Sequence, residues 1–160
     1  MKAIVIGTSL SGKTTLIRYL RRTSNLPLLE VDEELTRLNN GIYPIDDEYK
    51  HTVLAPQIIK NILSRDNVVF FSNTDYFTFE DIKVARYNNF QIIQLSLDLK
   101  ELQNRNKSRV EKDGYSDLSQ WLEGMVNYQI QLKKAWLVDK VIDANQSTED
   151  IAKELIEYLS

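Results

Sequence analysis

The amino-acid sequence predicts an α/β domain built on a parallel sheet with helices on both faces. Three observations lead there. Short apolar runs alternate with segments of helical spacing along the whole chain, the pattern of strands buried on both faces between crossover helices. The first run, Ala3-Ile4-Val5-Ile6, passes directly into Gly7-Thr8-Ser9-Leu10-Ser11-Gly12-Lys13-Thr14, which fits G-x-x-x-x-G-K-[ST]. A length of 160 residues, 42% of them hydrophobic and 27% charged, suits one domain with one sizeable core. No internal repeat or low-complexity linker divides the chain, so residues 1–160 read as a single domain.

Strands are predicted at 2–7, 26–31, 67–72, 90–96 and 140–142, and helices at 13–23, 53–64, 79–87, 99–112, 118–135 and 148–159. The glycine-bearing loop follows the first strand and opens the first helix. Gly7 and Gly12 permit backbone angles that a side chain disfavours, so successive N–H groups can ring a phosphate. The helix start adds unpaired N–H groups and the positive end of its dipole. The phosphate-binding set is therefore Gly7, Thr8, Ser9, Leu10, Ser11, Gly12, Lys13, Thr14 and Thr15. Lys13 is expected to reach the β- and γ-phosphates and the Thr14 hydroxyl to ligate Mg²⁺.

The second strand delivers Glu30-Val31-Asp32-Glu33-Glu34. Asp32 falls just past its carboxyl end, on the rim where ligands of open α/β sheets bind. A carboxylate there can accept the proton of an attacking hydroxyl or hold a water on Mg²⁺. Glu33 and Glu34 read as solvated acids favourable to a helix dipole. Residues 33–50 form a polar, Gly- and Pro-punctuated insert suited to binding an acceptor. Within it Arg37 is either the partner of an anionic substrate group or an exposed helix arginine. His51, the single histidine, reads as a surface residue.

The third strand ends at Ser72, where an aspartate would complete a metal site; Asp75 lies three residues on. After the fourth strand, capped by Asp98, Arg105 and Arg109 stand four residues apart and so share one helix face. With the Asp113-Gly114-Tyr115-Ser116-Asp117 turn they make a lid at 105–117. Guanidinium groups in a lid stabilise a transferring phosphoryl and exclude water. Next comes an apolar stripe with Leu118, Trp121, Leu122, Met125, Val126, Ile130 and Leu132, read as core or partner-facing. The loop after the fifth strand carries Asn145, which could touch a base. Ser147 caps the last helix.

Composition removes other chemistries. There is no cysteine and one histidine, which excludes disulfides, thiolate catalysis and histidine metal clusters. The net charge of −3 gives no global attraction to nucleic acid, although a local basic patch is not excluded. No signal-peptide pattern and no membrane-spanning apolar run is present, so the expected location is cytoplasmic, as a monomer or homodimer.

On Gly7–Thr14, Asp32 and Arg105/Arg109, the chain resembles the phosphate-loop kinases of the nucleoside/nucleotide and shikimate kinase type. The resemblance implies five parallel strands in the order 2-3-1-4-5, ATP as donor and Mg²⁺ as cofactor. It also implies that Asp32 orients the acceptor and that Arg105 and Arg109 are lid arginines. Leu102-x-x-Arg105-Asn106-x-x-Arg109 is similar to the lid of polynucleotide 5′-kinases too. The Asp-Gly-x-Pro-Arg segment of adenylate kinases and the glycine and arginine contacts shikimate kinases make to their acid are absent. The expected activity is transfer of the γ-phosphoryl of Mg·ATP to a small nucleoside- or nucleotide-like acceptor. The alternatives are a polynucleotide 5′-hydroxyl kinase and a non-catalytic ATP-binding module.

Overall fold

Along β1 (Lys2–Gly7), Ile4 and Ile6 face one side and Ala3 and Val5 the other, since side chains alternate along a strand; all four are fully buried. The same alternation in β3 (Val68–Ser72) sends Val68 and Phe70 to one layer and Val69 and Phe71 to the other. Two cores result, one of 19 buried residues and one of 17, separated by the sheet. A computed structural model describes all of residues 1–160.

Five parallel strands form the sheet in the order β2-β3-β1-β4-β5, with β2 at Leu28–Glu30, β4 at Gln91–Ser96 and β5 at Lys140–Asp143. The smaller core lies under α1 (Lys13–Thr23), α6 (Leu99–Asp113) and α8 (Thr148–Leu159), which contribute Leu16, Leu102 and Leu155. The larger lies under α2 (Val31–Leu38), α4 (Ala55–Leu63) and α5 (Phe79–Tyr87), through Leu35, Ile58 and Ile82. The remaining helices are α3 (Asp47–Tyr49), joined to α4 by a π-helical turn at Lys50–Leu54, and α7 (Ser119–Lys134). No helix is long and apolar enough to cross a membrane.

Caps fall at the predicted residues. Asp98 accepts from the Glu101 amide at 2.8 Å and Ser147 from the Asp150 amide at 3.1 Å. Two expectations change. The second strand stops at Glu30, because as an edge strand it pairs with β3 alone, and Val31 already begins α2. The helix expected from residue 53 is preceded by α3, which Asp46 caps by accepting from the Tyr49 amide. Of the apolar stripe, Leu122 and Leu132 are buried, one in each core, whereas Trp121 and Ile130 are exposed.

α7 also carries a buried amide. Gln129 donates from Nε2 to the carbonyls of Ile6 and Leu95, at 3.3 and 3.0 Å, and its own carbonyl accepts from Gln94 Nε2. It ties the helix to β1 and β4 just where β1 runs into the glycine loop. Gln129→Leu leaves those two carbonyls without that donor and is expected to cost about 2–3 kcal/mol, read as a lower urea midpoint at unchanged m-value. An unchanged midpoint would show that the amide contributes nothing.

Candidate active site

The loop between β1 and α1 bends through two left-handed residues, Leu10 (φ 69°) and Gly12 (φ 85°). Gly12 therefore meets the expectation of conformational freedom. Gly7 does not have a positive φ; its constraint is space, since a Cβ there would lie 2.6 Å from Ser11 Oγ and 3.2 Å from Lys13 Cδ. A non-glycine residue held in the left-handed region, Leu10, marks a loop whose shape is imposed by its surroundings. Ser11 Oγ donates to the Thr8 carbonyl at 2.8 Å, and Lys13 Nζ donates to the carbonyls of Gly7 and Thr8 at 2.7 Å each.

These contacts fold a cradle with its polar groups held for a ligand. No side chain caps α1, unlike α5, α6 and α8, so its first N–H groups stay open toward the loop. Thr8 Oγ1 is buried without a hydrogen-bond partner. Burial pulls the Lys13 ammonium from its ordinary value down to about 8, against the opposing pull of the Asp32, Glu30 and Asp75 carboxylates. An ammonium kept in so dry a place gains strongly from a phosphate.

The cradle opens into a cleft of about 710 Å³. On one flank stand Glu30, the last residue of β2, and Asp32, in the first turn of α2. Glu30 Oε1 lies 3.5 Å from Thr14 Oγ1. Burial raises the pKa of both acids; for Asp32, the Lys13 and Lys50 ammoniums act in the opposite sense and the Asp75 and Glu33 carboxylates add to the rise. Asp75 thus acts on Lys13 and Asp32 although it does not line the cleft, and it is held at 3.1 Å by His51 Nε2. The histidine ring stacks on Tyr76 at 5.2 Å, so it is more engaged than a surface residue.

On the other flank, α6 presents Arg105 and Arg109. Arg105 donates from Nη1 to the Leu10 carbonyl at 2.9 Å and from Nε to Glu101 at 3.1 Å, clamping the loop. Arg109 lies 4.1 Å from the Tyr115 ring, a cation–π stack that holds the segment after α6 over the cleft. Buried Asn106 fastens that segment further: it donates to Asp117 at 2.7 Å and accepts from the Leu118 amide at 2.9 Å.

The structure thus gathers Ser9, Leu10, Gly12, Lys13, Thr14, Thr15, Asp32, Arg105 and Arg109 on one cleft, with Gly7, Thr8 and Ser11 shaping its floor. Two predicted residues lie apart. Arg37 pairs with Glu34 at 2.8 Å, and Asn145, whose amide donates to Asp143, does not line the cleft. Glu34 corrects the expectation of a solvated acid. It is 6% exposed, because α2 packs this side on the protein and Arg37 covers the carboxylate. Glu33 pairs with Arg21 at 2.6 Å.

Sequence reasoning passed over Glu30, Asn73 and Tyr115, which line the cleft. Glu30 had a legible signal as an acid within the end of an apolar strand, and Tyr115 as an aromatic after two arginines. For a metal, the donor set is one hydroxyl, Thr14, with the Glu30 and Asp32 carboxylates beside it, and no cluster of three or more acids and histidines exists. That suits Mg²⁺, which keeps most of its waters and takes few protein ligands.

No protein-family model and no curated protein matches the chain. Solved structures match it along nearly its whole length. Shikimate kinase from Aquifex aeolicus vf5 is 17% identical with a TM-score of 0.72, over 99% of this chain and 96% of that one. A gluconokinase from Sinorhizobium meliloti 1021 is 19% identical at TM-score 0.65, over 99% and 91%. The YorR protein of Bacillus subtilis, solved in complex with phosphorylated GDP, is 16% identical at TM-score 0.65, over 99% and 95%. Strand order, loop and these likenesses together show that the chain has the P-loop kinase fold of the shikimate kinase type.

Proposed function

We propose that this protein transfers the γ-phosphoryl group of Mg·ATP to a small acceptor that is nucleoside- or nucleotide-like. The observation that carries this reading is Lys13, an ammonium buried on the floor of a cleft that also holds a carboxylate, Asp32, and two guanidiniums, Arg105 and Arg109. Phosphoryl transfer needs positioning and charge stabilisation more than covalent help. The loop amides and Lys13 hold the phosphates, Asp32 orients the acceptor and takes its proton, and the arginines meet charge on the transferring group. Thr14, with the Glu30 and Asp32 carboxylates beside it, would hold Mg²⁺, which would supply neutralisation of phosphate charge. Arg37 and Asn145 stay outside this assignment, the first because Glu34 occupies its guanidinium.

The test is ADP release from Mg·ATP across nucleosides, nucleoside monophosphates, small hydroxy metabolites and a 5′-hydroxyl oligonucleotide. Stimulation by one small acceptor supports the reading. Stimulation by the oligonucleotide alone favours the polynucleotide kinase, and tight ATP binding without stimulated release favours the binding module.

Two further results are expected. Arg109→Ala should lower kcat about 10–100-fold while changing the Kd for ATP much less, because its charge is needed most on the transferring group. An equal loss in both would make Arg109 an ordinary phosphate contact. The second concerns pH. Phosphates favour the protonated lysine, and the Lys13 ammonium loses its proton near pH 8 when no phosphate is there. Below that value binding needs no proton; above it, binding takes one up and affinity falls, by up to about tenfold per pH unit. Calorimetric titration with Mg·ATP from about pH 7.5 to 9.5 reads this directly, and a flat Kd would contradict it.

A further inference from the structure

We infer that the acceptor is an uncharged alcohol, a nucleoside or a polyol, and that acceptors bearing a carboxylate or phosphate are rejected. This rests on the kinase reading above and narrows its acceptor. The cleft is divided by charge. Its cations are Lys13 in the cradle and Arg105 and Arg109 on the lid side, the part of the cleft assigned above to the donor; the opposite flank offers Glu30, Asp32 and the amide of Asn73, with no cation among its lining residues.

The cations near that flank are already taken. Arg21 pairs with Glu33, Arg37 with Glu34, and Lys50 with Asp47 at 2.6, 2.8 and 2.8 Å. Lys13 and Lys50 act on Asp32, but Lys13 is held in the cradle by the Gly7 and Thr8 carbonyls, and Asp75 and Glu33 act on the same carboxylate in the opposite sense. An acceptor anion placed here therefore meets like charge and finds no free partner for its desolvation. Hydroxyls fare differently, because carboxylates accept from them and Asn73 both donates and accepts.

The transfer itself asks for nothing more. The acceptor oxygen supplies the electron pair for the new bond to the γ-phosphorus. The bond from that phosphorus to the β,γ-bridging oxygen breaks, its pair leaving with ADP, and the hydroxyl proton passes to Asp32. An uncharged alcohol brings its own proton and needs no cation for a second group.

Matched pairs test this: adenosine against AMP, sorbitol against gluconate, and methyl shikimate against shikimate, each as kcat/KM at saturating Mg·ATP and constant pH, with products identified by ³¹P NMR. The neutral member of any pair that turns over is expected to lead by at least about 100-fold. Asp75→Asn should narrow that gap about tenfold, and Lys50→Met should widen it. An anionic member that equals or exceeds its neutral partner overturns the inference while leaving the kinase reading intact. ATP binding without ADP release for every acceptor removes the kinase reading, and this inference with it.

Discussion

Lys13→Ala is expected to abolish turnover, lowering acceptor-stimulated ADP release by about 10⁴-fold or more, while the protein stays folded. The two halves of this expectation have separate causes. The ammonium is the one cation on the cradle floor, and its donors to the Gly7 and Thr8 carbonyls fix it against the loop. No neighbouring lysine stands in, since Lys50 is held by Asp47. Stability should change little, because losing the hydrogen bonds to the Gly7 and Thr8 carbonyls is offset by removing a charge whose burial is unfavourable enough to lower its pKa to about 8. ADP release, with the thermal midpoint as control, tests both. Activity within tenfold of the parent protein would sink the assignment, and a collapsed midpoint would show that Lys13 is chiefly structural.

Asp32→Asn is the second large effect, a loss of about 10³-fold in kcat with little change in ATP affinity at about pH 6, well below the range in which Lys13 loses its proton. Asparagine keeps the shape and hydrogen-bonding reach of the side chain but cannot take the acceptor's proton. Burial raises the Asp32 carboxyl, which makes it a better base than a solvated aspartate. A second readout separates this role from packing. The Asp32 carboxylate helps keep Lys13 protonated, so its loss should move the break in ATP affinity to lower pH. A kcat loss without that movement would place Asp32 away from the lysine's field. Movement without a kcat loss would show that another group receives the proton.

The glycine-loop half of the cleft was legible because it is local. Gly7 to Thr15 are consecutive, so a strand, a loop and a helix start bring the whole cradle together whatever the rest of the chain does. Arg105 and Arg109 were legible by helical spacing, and the caps at Asp98 and Ser147 by their side chains. The acidic half of the cleft is assembled from distant segments and was read less well. The helix after β2 was only half read: Glu33 and Glu34 suited a helix start, but the polar, Gly- and Pro-punctuated stretch at 33–50 was read as an insert, although Val31 and Leu35 have helical spacing. Glu34 and Arg37 are neighbours on that helix, and only its packing shows that one is buried and the other spent covering it. Asp75 and His51 lie 24 residues apart, and nothing in their spacing predicts that they meet.

By itself the sequence determined the α/β class, all five strands and most of the helices, and it marked the loop of a candidate phosphate cradle, since alternation, helical spacing and a contiguous motif act over a few residues. Its apolar runs do not say which strand lies beside which; the order came from resemblance, and the structure supplies it as pairings across the sheet. Only the tertiary structure decided that Gly7 is required for space, that Arg105 clamps Leu10, and that the flank facing the cradle is acidic with its nearby cations occupied. Each of those facts is a contact or a charge balance between segments far apart in the chain, set by packing.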